Sequence, residues 1–195
     1  MSLHFLAAIA GALLAAGGCG VLAARSLRTP NSAVITWAVA LAGLTVSLGA
    51  QALGYKVGFW ATAFRAMAVG GLAVAPLALA LGLAELAAKG LATRFAARLI
   101  LSALAFVTVI ILSTDPLSSA TFTKVWPNPA TYYQPIPNYL LKDLLPPVTV
   151  LVAVIAVVTV AARQGRDPAW RDAFLPAGAG WTNRPTPPFG FARRW

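Results

Sequence analysis

Five apolar runs, each about long enough to cross the hydrocarbon core of a bilayer, are the feature that most limits what this chain can become. They fall at roughly residues 3–24, 33–53, 60–88, 95–112 and 147–162. Inside lipid every backbone N–H and C=O must find its partner within the protein, so an isolated run reads as a helix. The fifth run is rich in Val and Ile and would suit a strand in water, yet the same argument makes it a helix. Composition agrees: only 10% of residues are charged and 59% are hydrophobic. A soluble domain carries about 25% charged residues, and 195 residues cannot enclose this much apolar surface in one core. The expected fold is an all-α, polytopic transmembrane helix bundle of five spans over residues 1–163. A large loop at residues 113–146 and a basic, Pro/Gly-rich tail at residues 164–195 complete it.

The cations set the expected orientation. Arg25 and Arg28 follow the first span, Lys89, Arg94 and Arg98 follow the third, and six arginines from Arg163 to Arg194 follow the fifth. The opposite side holds Lys56, Lys124 and Lys142. Short loops rich in Lys and Arg stay cytoplasmic, so the N-terminus and the 113–146 loop are expected outside and the C-terminus inside. The net charge of +10 lies between apolar runs. It therefore reads as a topology signal and not as a nucleic-acid surface.

Cys19 is the single cysteine, so no internal disulfide can form. It sits where a lipoprotein signal might be cleaved, but "MSLHF" has no cation and Ala16 stands three residues before it. Lipidation is not expected. Gly11, Ala15, Cys19 and Ala23 recur every four residues, as do Ala8, Ala12, Ala16, Gly20 and Ala24. Small residues at that spacing let helices approach closely. Two stripes compete, and the sequence does not choose between them.

Arg65, in "WATAFRAMAVGG", is the most deeply embedded charge. Its position five residues past Trp60 places it roughly 8 Å into the span. It can snorkel to the headgroups or make a structural hydrogen bond; it can also serve a ligand, as intramembrane cations often do. Glu85, about 30 Å further along the helix, is expected to pair locally with Lys89 four residues later. Pro76 is expected to kink the third span.

No His, Cys or acidic cluster has metal-ligand spacing, and no nucleophile or phosphate-loop motif is present. The reading is therefore not an enzyme, with no metal and no cofactor. The 113–146 loop carries Trp126, Tyr132 and Tyr133 among prolines. These rings form either an interfacial belt or, with Arg65, a shallow ligand pocket. "NYLLKDLL" is expected as a short amphipathic helix lying on the surface.

The stretches "GYKVGFWATAFRAMAVGGLAVAPLALALGLAELAAKG" and "LILSALAFVTVIILSTDPL" resemble the N-terminal membrane region of bacterial seven-helix sensor proteins of the histidine-kinase type. Ala75, Pro76 and Leu77 match an apolar-Pro-Leu element in the third helix of that region. "FRA…APLALA" and "DPAWRDAF" are also similar to uncharacterised actinobacterial multi-span proteins. The resemblance covers roughly residues 1–175, and no catalytic residue is carried over. It implies further spans, whereas "WTNRPTPPFGFARRW" is rich in Pro, Gly and Arg. Such an end is either a basic tail drawn to anionic lipid or the out-of-frame end of a longer protein. The expected function is a membrane sensor or signalling-associated domain in a bacterial inner membrane. The alternatives are an accessory subunit of a membrane complex and then a small-solute transporter. The expected partners are the lipid bilayer and a membrane protein or second copy, with no nucleic acid.

Overall fold

A computed structural model describes residues 3–28, 30–88, 90–117, 127–128 and 132–164. Residues Met1–Val160 form one compact unit and Ala161–Trp195 a second, of which only the helical end at Gln164 is described. The expected tail at residues 164–195 thus lies almost wholly outside the described residues. The chain is an all-α bundle with five helices long and apolar enough to cross a membrane. Helix α1 is Leu3–Arg28, α2 is Ser32–Val57, α3 is Ala61–Ala87 and α4 is Leu91–Thr114. Helix α5 starts at Pro135–Tyr139, continues through Leu140–Leu144 and ends as Leu145–Gln164.

Short connections make α1 to α4 an up-and-down series. Asn31 caps α2, its side-chain oxygen accepting from the Ala33 N–H at 3.0 Å, so one orphan donor is satisfied. Gly58 ends α2 with φ 105°, a backbone state that a side chain would resist. α1 packs along α2, α2 along α3, and α3 along α4. α3 is the central helix: half of its apolar window is buried, against 11% for α1.

The α1–α2 seam follows neither small-residue stripe throughout: it takes Ala8 from one and Gly11, Ala15 and Cys19 from the other. Ala8 and Ala15 are buried. The Cys19 thiol donates to the Ala38 carbonyl at 3.3 Å. A methyl on Gly11 would lie 3.0 Å from Leu48 Cδ1. Ala16, Gly20 and Ala24, which continue the stripe from Ala8, are exposed, as is Ala23 of the stripe with Cys19.

α2 and α3 cross backbone to backbone at Gly43 and Gly70. A Cβ on Gly70 would stand 2.5 Å from the Gly43 carbonyl oxygen. The Ser47 hydroxyl donates to the Met67 carbonyl at 3.0 Å beside this crossing. At this crossing α3 widens into a π-helical stretch, Ala68–Val74, which contains Gly70. A second π stretch is Leu140–Leu144 in α5. Both end on a residue that precedes a proline and bonds five residues back: Ala75 N–H to Gly70 O, and Leu145 N–H to Leu140 O. Proline cannot donate and its ring crowds the carbonyl four residues earlier; the wider turn relieves that crowding. Pro76 therefore acts through a π turn.

The helix limits extend several expectations and correct one. Residues 135–146, expected as loop, are the first turns of α5, and the loop is correspondingly shorter. "NYLLKDLL" does not form a separate surface helix; it is continuous with the span, and Leu141 and Leu145 are buried in the core. Leu141, Leu145, Val148 and Val152 pack against the core, so α5 docks by a narrow stripe. Prolines 146 and 147 fall in its early turns, where the π stretch accommodates them.

Candidate functional site

At the membrane face where α3 begins and α4 ends, the sequence brings polar backbone to the edge of an apolar bundle. α4 stops at Thr114 because Asp115 turns extended before Pro116. The carbonyls of its last turn then need partners. Tyr133, returning from the loop, donates its hydroxyl to the Leu112 carbonyl at 3.2 Å. Arg65, in the second turn of α3, donates from Nη2 to the main-chain carbonyl of Asp115 at 2.9 Å. The Asp115 carboxylate in turn accepts the Gln134 N–H at 3.2 Å. Asp115 therefore ties both ends of the loop to α3, one through its backbone and the other through its side chain.

Apolar packing holds the same knot. The Phe64 ring lies 5.3 Å from Tyr132 and 5.1 Å from Tyr133, centroid to centroid, both tilted. Phe64 is fully buried, Tyr133 is 5% exposed and Tyr132 9%. These aromatics belong to one buried cluster with Phe59, Met67, Leu112 and Leu145. Tyr133 lies outside the spans, and burial pushes its hydroxyl up to about 12 from an ordinary 10.0. The positive charge of Arg65 opposes that rise and Asp115 adds to it. The tyrosine is thus held as a neutral donor.

Three of the four residues singled out in the sequence meet here: Arg65, Tyr132 and Tyr133. The fourth, Trp126, lies outside the described residues. The tyrosines are buried against Phe64 in the core cluster. The Arg65 Nε is buried without a hydrogen-bond partner, so the guanidinium fork is only partly used. Asp115, Gln134 and Phe64 were missed by sequence reasoning. The Asp-Pro dipeptide at 115–116 was the available signal, since it marks a helix end whose carbonyls need donors.

At the opposite face Glu85 pairs across to α4. Arg98 donates from Nε to its Oε1; Lys89, the expected partner, lies outside the described residues. The Glu85 side chain is 3% exposed, covered where it meets Arg98 of α4. Its second oxygen, Oε2, is buried without a partner.

Among the described residues no group of three or more His, Cys, Asp or Glu could hold a metal ion. No protein-family model, curated protein or solved structure matches this chain.

Proposed function

We propose that this chain is a multi-span sensor or signalling-associated protein of a bacterial inner membrane, with its N-terminus and the Asp115–Gln134 loop outside. The observation that carries the reading is the half-used guanidinium of Arg65, which holds the loop through a single carbonyl while its Nε stays buried and unpaired. A ligand bearing a carboxylate or phosphate could compete with Asp115 for that fork, since planar bidentate recognition is what arginine favours. Release of the loop would then reach α3, whose π turn begins at Ala68, one turn below. π-helical stretches are frequent at functional sites. The cation distribution and the resemblance to sensor membrane regions support the same reading.

The test is expression of wild type, Arg65→Gln and Arg65→Lys in a strain lacking the gene, with transcript profiling under envelope stress. A sensor predicts a response restored by wild type and lost in Arg65→Gln at unchanged protein abundance. An unaltered response in Arg65→Gln removes Arg65 from the role.

The accessory-subunit reading is favoured by α5. Its narrow docking stripe leaves Val150, Leu151, Val154, Ile155, Val157 and Val158 uncovered, a flank that another protein's helix could cover. Stable copurification with one membrane protein at fixed stoichiometry, indifferent to Arg65, would support it instead.

A further inference from the structure

α4 enters the membrane with its first two turns almost uncovered. Leu91 is 87% exposed, Phe95 66% and Leu99 61%. Arg94 and Arg98 share this stretch four residues apart, and so lie on one side of the helix. Each guanidinium is fixed through one nitrogen. Arg94 Nε donates to the Ala88 carbonyl at 3.1 Å, and Arg98 Nε is held by the Glu85 carboxylate. Engagement at Nε leaves the two terminal nitrogens of each head available. Both arginines open on a groove shared with Leu91, Ala92 and Phe95. Arg98, although paired, keeps its side chain 48% exposed.

We propose that this groove binds one anionic phospholipid of the adjacent leaflet, its phosphate between Arg94 and Arg98 and an acyl chain along Phe95 and Leu99. The charge argument is local. Glu85 offsets one of the two arginines, so a positive charge remains at a site a turn or two inside the helix end. Two arginines one turn apart, each oriented by a second hydrogen bond, present their forks with less loss of side-chain freedom than unrestrained cations. The apolar argument selects the source of the phosphate. A soluble anion would leave Phe95 and Leu99 uncovered, whereas a lipid covers both while its headgroup meets the arginines. Glu85 is a positioning residue here: it holds Arg98 towards the groove and does not itself touch the phosphate.

The test uses the full chain in nanodiscs of phosphatidylcholine containing a minor fraction of phosphatidylglycerol, followed by native mass spectrometry of the retained lipid. Wild type should retain one phosphatidylglycerol in excess of its fraction in the disc. Arg94→Gln leaves the Glu85–Arg98 pair intact, so the fold is preserved. It should lower that enrichment roughly fivefold, the worth of about 1 kcal/mol per cation near the surface. Arg94→Gln combined with Arg98→Gln and Glu85→Gln, which leaves no buried lone charge, should abolish it. Arg25→Gln with Arg28→Gln, on the same face but away from the groove, should leave it unchanged. Wild-type enrichment in Arg94→Gln, or equal loss in the Arg25/Arg28 variant, overturns the proposal. Displacement of the lipid by inorganic phosphate alone would overturn the part assigned to Phe95 and Leu99.

Discussion

Arg65 meets Asp115 through a guanidinium-to-carbonyl hydrogen bond, Nη2 to the main-chain oxygen at 2.9 Å across 50 residues of sequence, and the Asp115 carboxylate is turned instead to Gln134. The pair looks from its residue types like an ion pair, but it is a clasp between a side chain and a helix end. The cation satisfies a carbonyl that α4 leaves open, and the acid orders the returning loop.

That geometry predicts how Arg65 variants behave. A single donor to a carbonyl is all the clasp requires, so Arg65→Lys should lose about 1 kcal/mol or less. Arg65→Gln, which also removes the charge, should lose about 2 kcal/mol, within the range for hydrogen bonds to charged groups. Thermal unfolding in detergent, compared at equal protein concentration, reads the difference. Equal losses in the two variants would show that the bidentate fork matters even without ligand.

Tyr133 should ionise near its raised value of about 12. The folded value lies above the unfolded 10.0, so the stability that Tyr133 contributes is complete below pH 10 and is lost as pH rises from about 10 to about 12. Ultraviolet titration of tyrosinate should show one late step that Tyr133→Phe removes. A titration with no late step, or a late step that survives Tyr133→Phe, would contradict its burial.

The Gly43–Gly70 crossing admits no side chain. Gly70→Ala would place a methyl 2.5 Å from the Gly43 carbonyl oxygen, which is backbone and cannot rotate away. The expected cost is about 1–3 kcal/mol, as for overpacked cores. Gly49→Ala, with nothing within 4 Å of its Cβ, should be neutral or slightly stabilising. Parallel melting curves of the two variants check this contrast.

The Glu85–Arg98 pair should respond asymmetrically. Arg98→Ala leaves a carboxylate buried at 3% exposure without its counter-ion, and should cost about 3–5 kcal/mol. Glu85→Gln leaves Arg98 half exposed and free to reach the headgroups, and should cost less. The double variant Glu85→Gln/Arg98→Ala should recover much of the Arg98→Ala loss, measured as a non-additive cycle of unfolding temperatures.

Orientation has its own check. In a Cys19→Ala background, a cysteine at Ser119 should react with an impermeant thiol reagent in intact cells, and one at Ser26 only after permeabilisation. The reverse labelling would overturn the reading from Lys and Arg placement.

Sequence alone determined the number of spans and the class of fold, because five apolar runs in so short a chain leave lipid as the only solvent and the helix as the only backbone solution. It also marked Arg65, Tyr132 and Tyr133, since a cation at membrane depth and aromatics between prolines stand out by residue type. Only the tertiary structure decided their partners. Arg65 bonds a backbone carbonyl, and every residue carries one, so no residue type could announce Asp115. Helical spacing offered Glu85 a partner in Lys89, which lies outside the described residues; the Arg98 contact comes from another helix and no spacing along α3 could announce it. On α1 both small-residue stripes obeyed the same four-residue period, yet the seam with α2 takes Ala8 from one, Gly11, Ala15 and Cys19 from the other, and Gly18, of neither, against Leu41. Periodicity along a helix says which residues share a face; which face is covered depends on a neighbour that is distant in the chain.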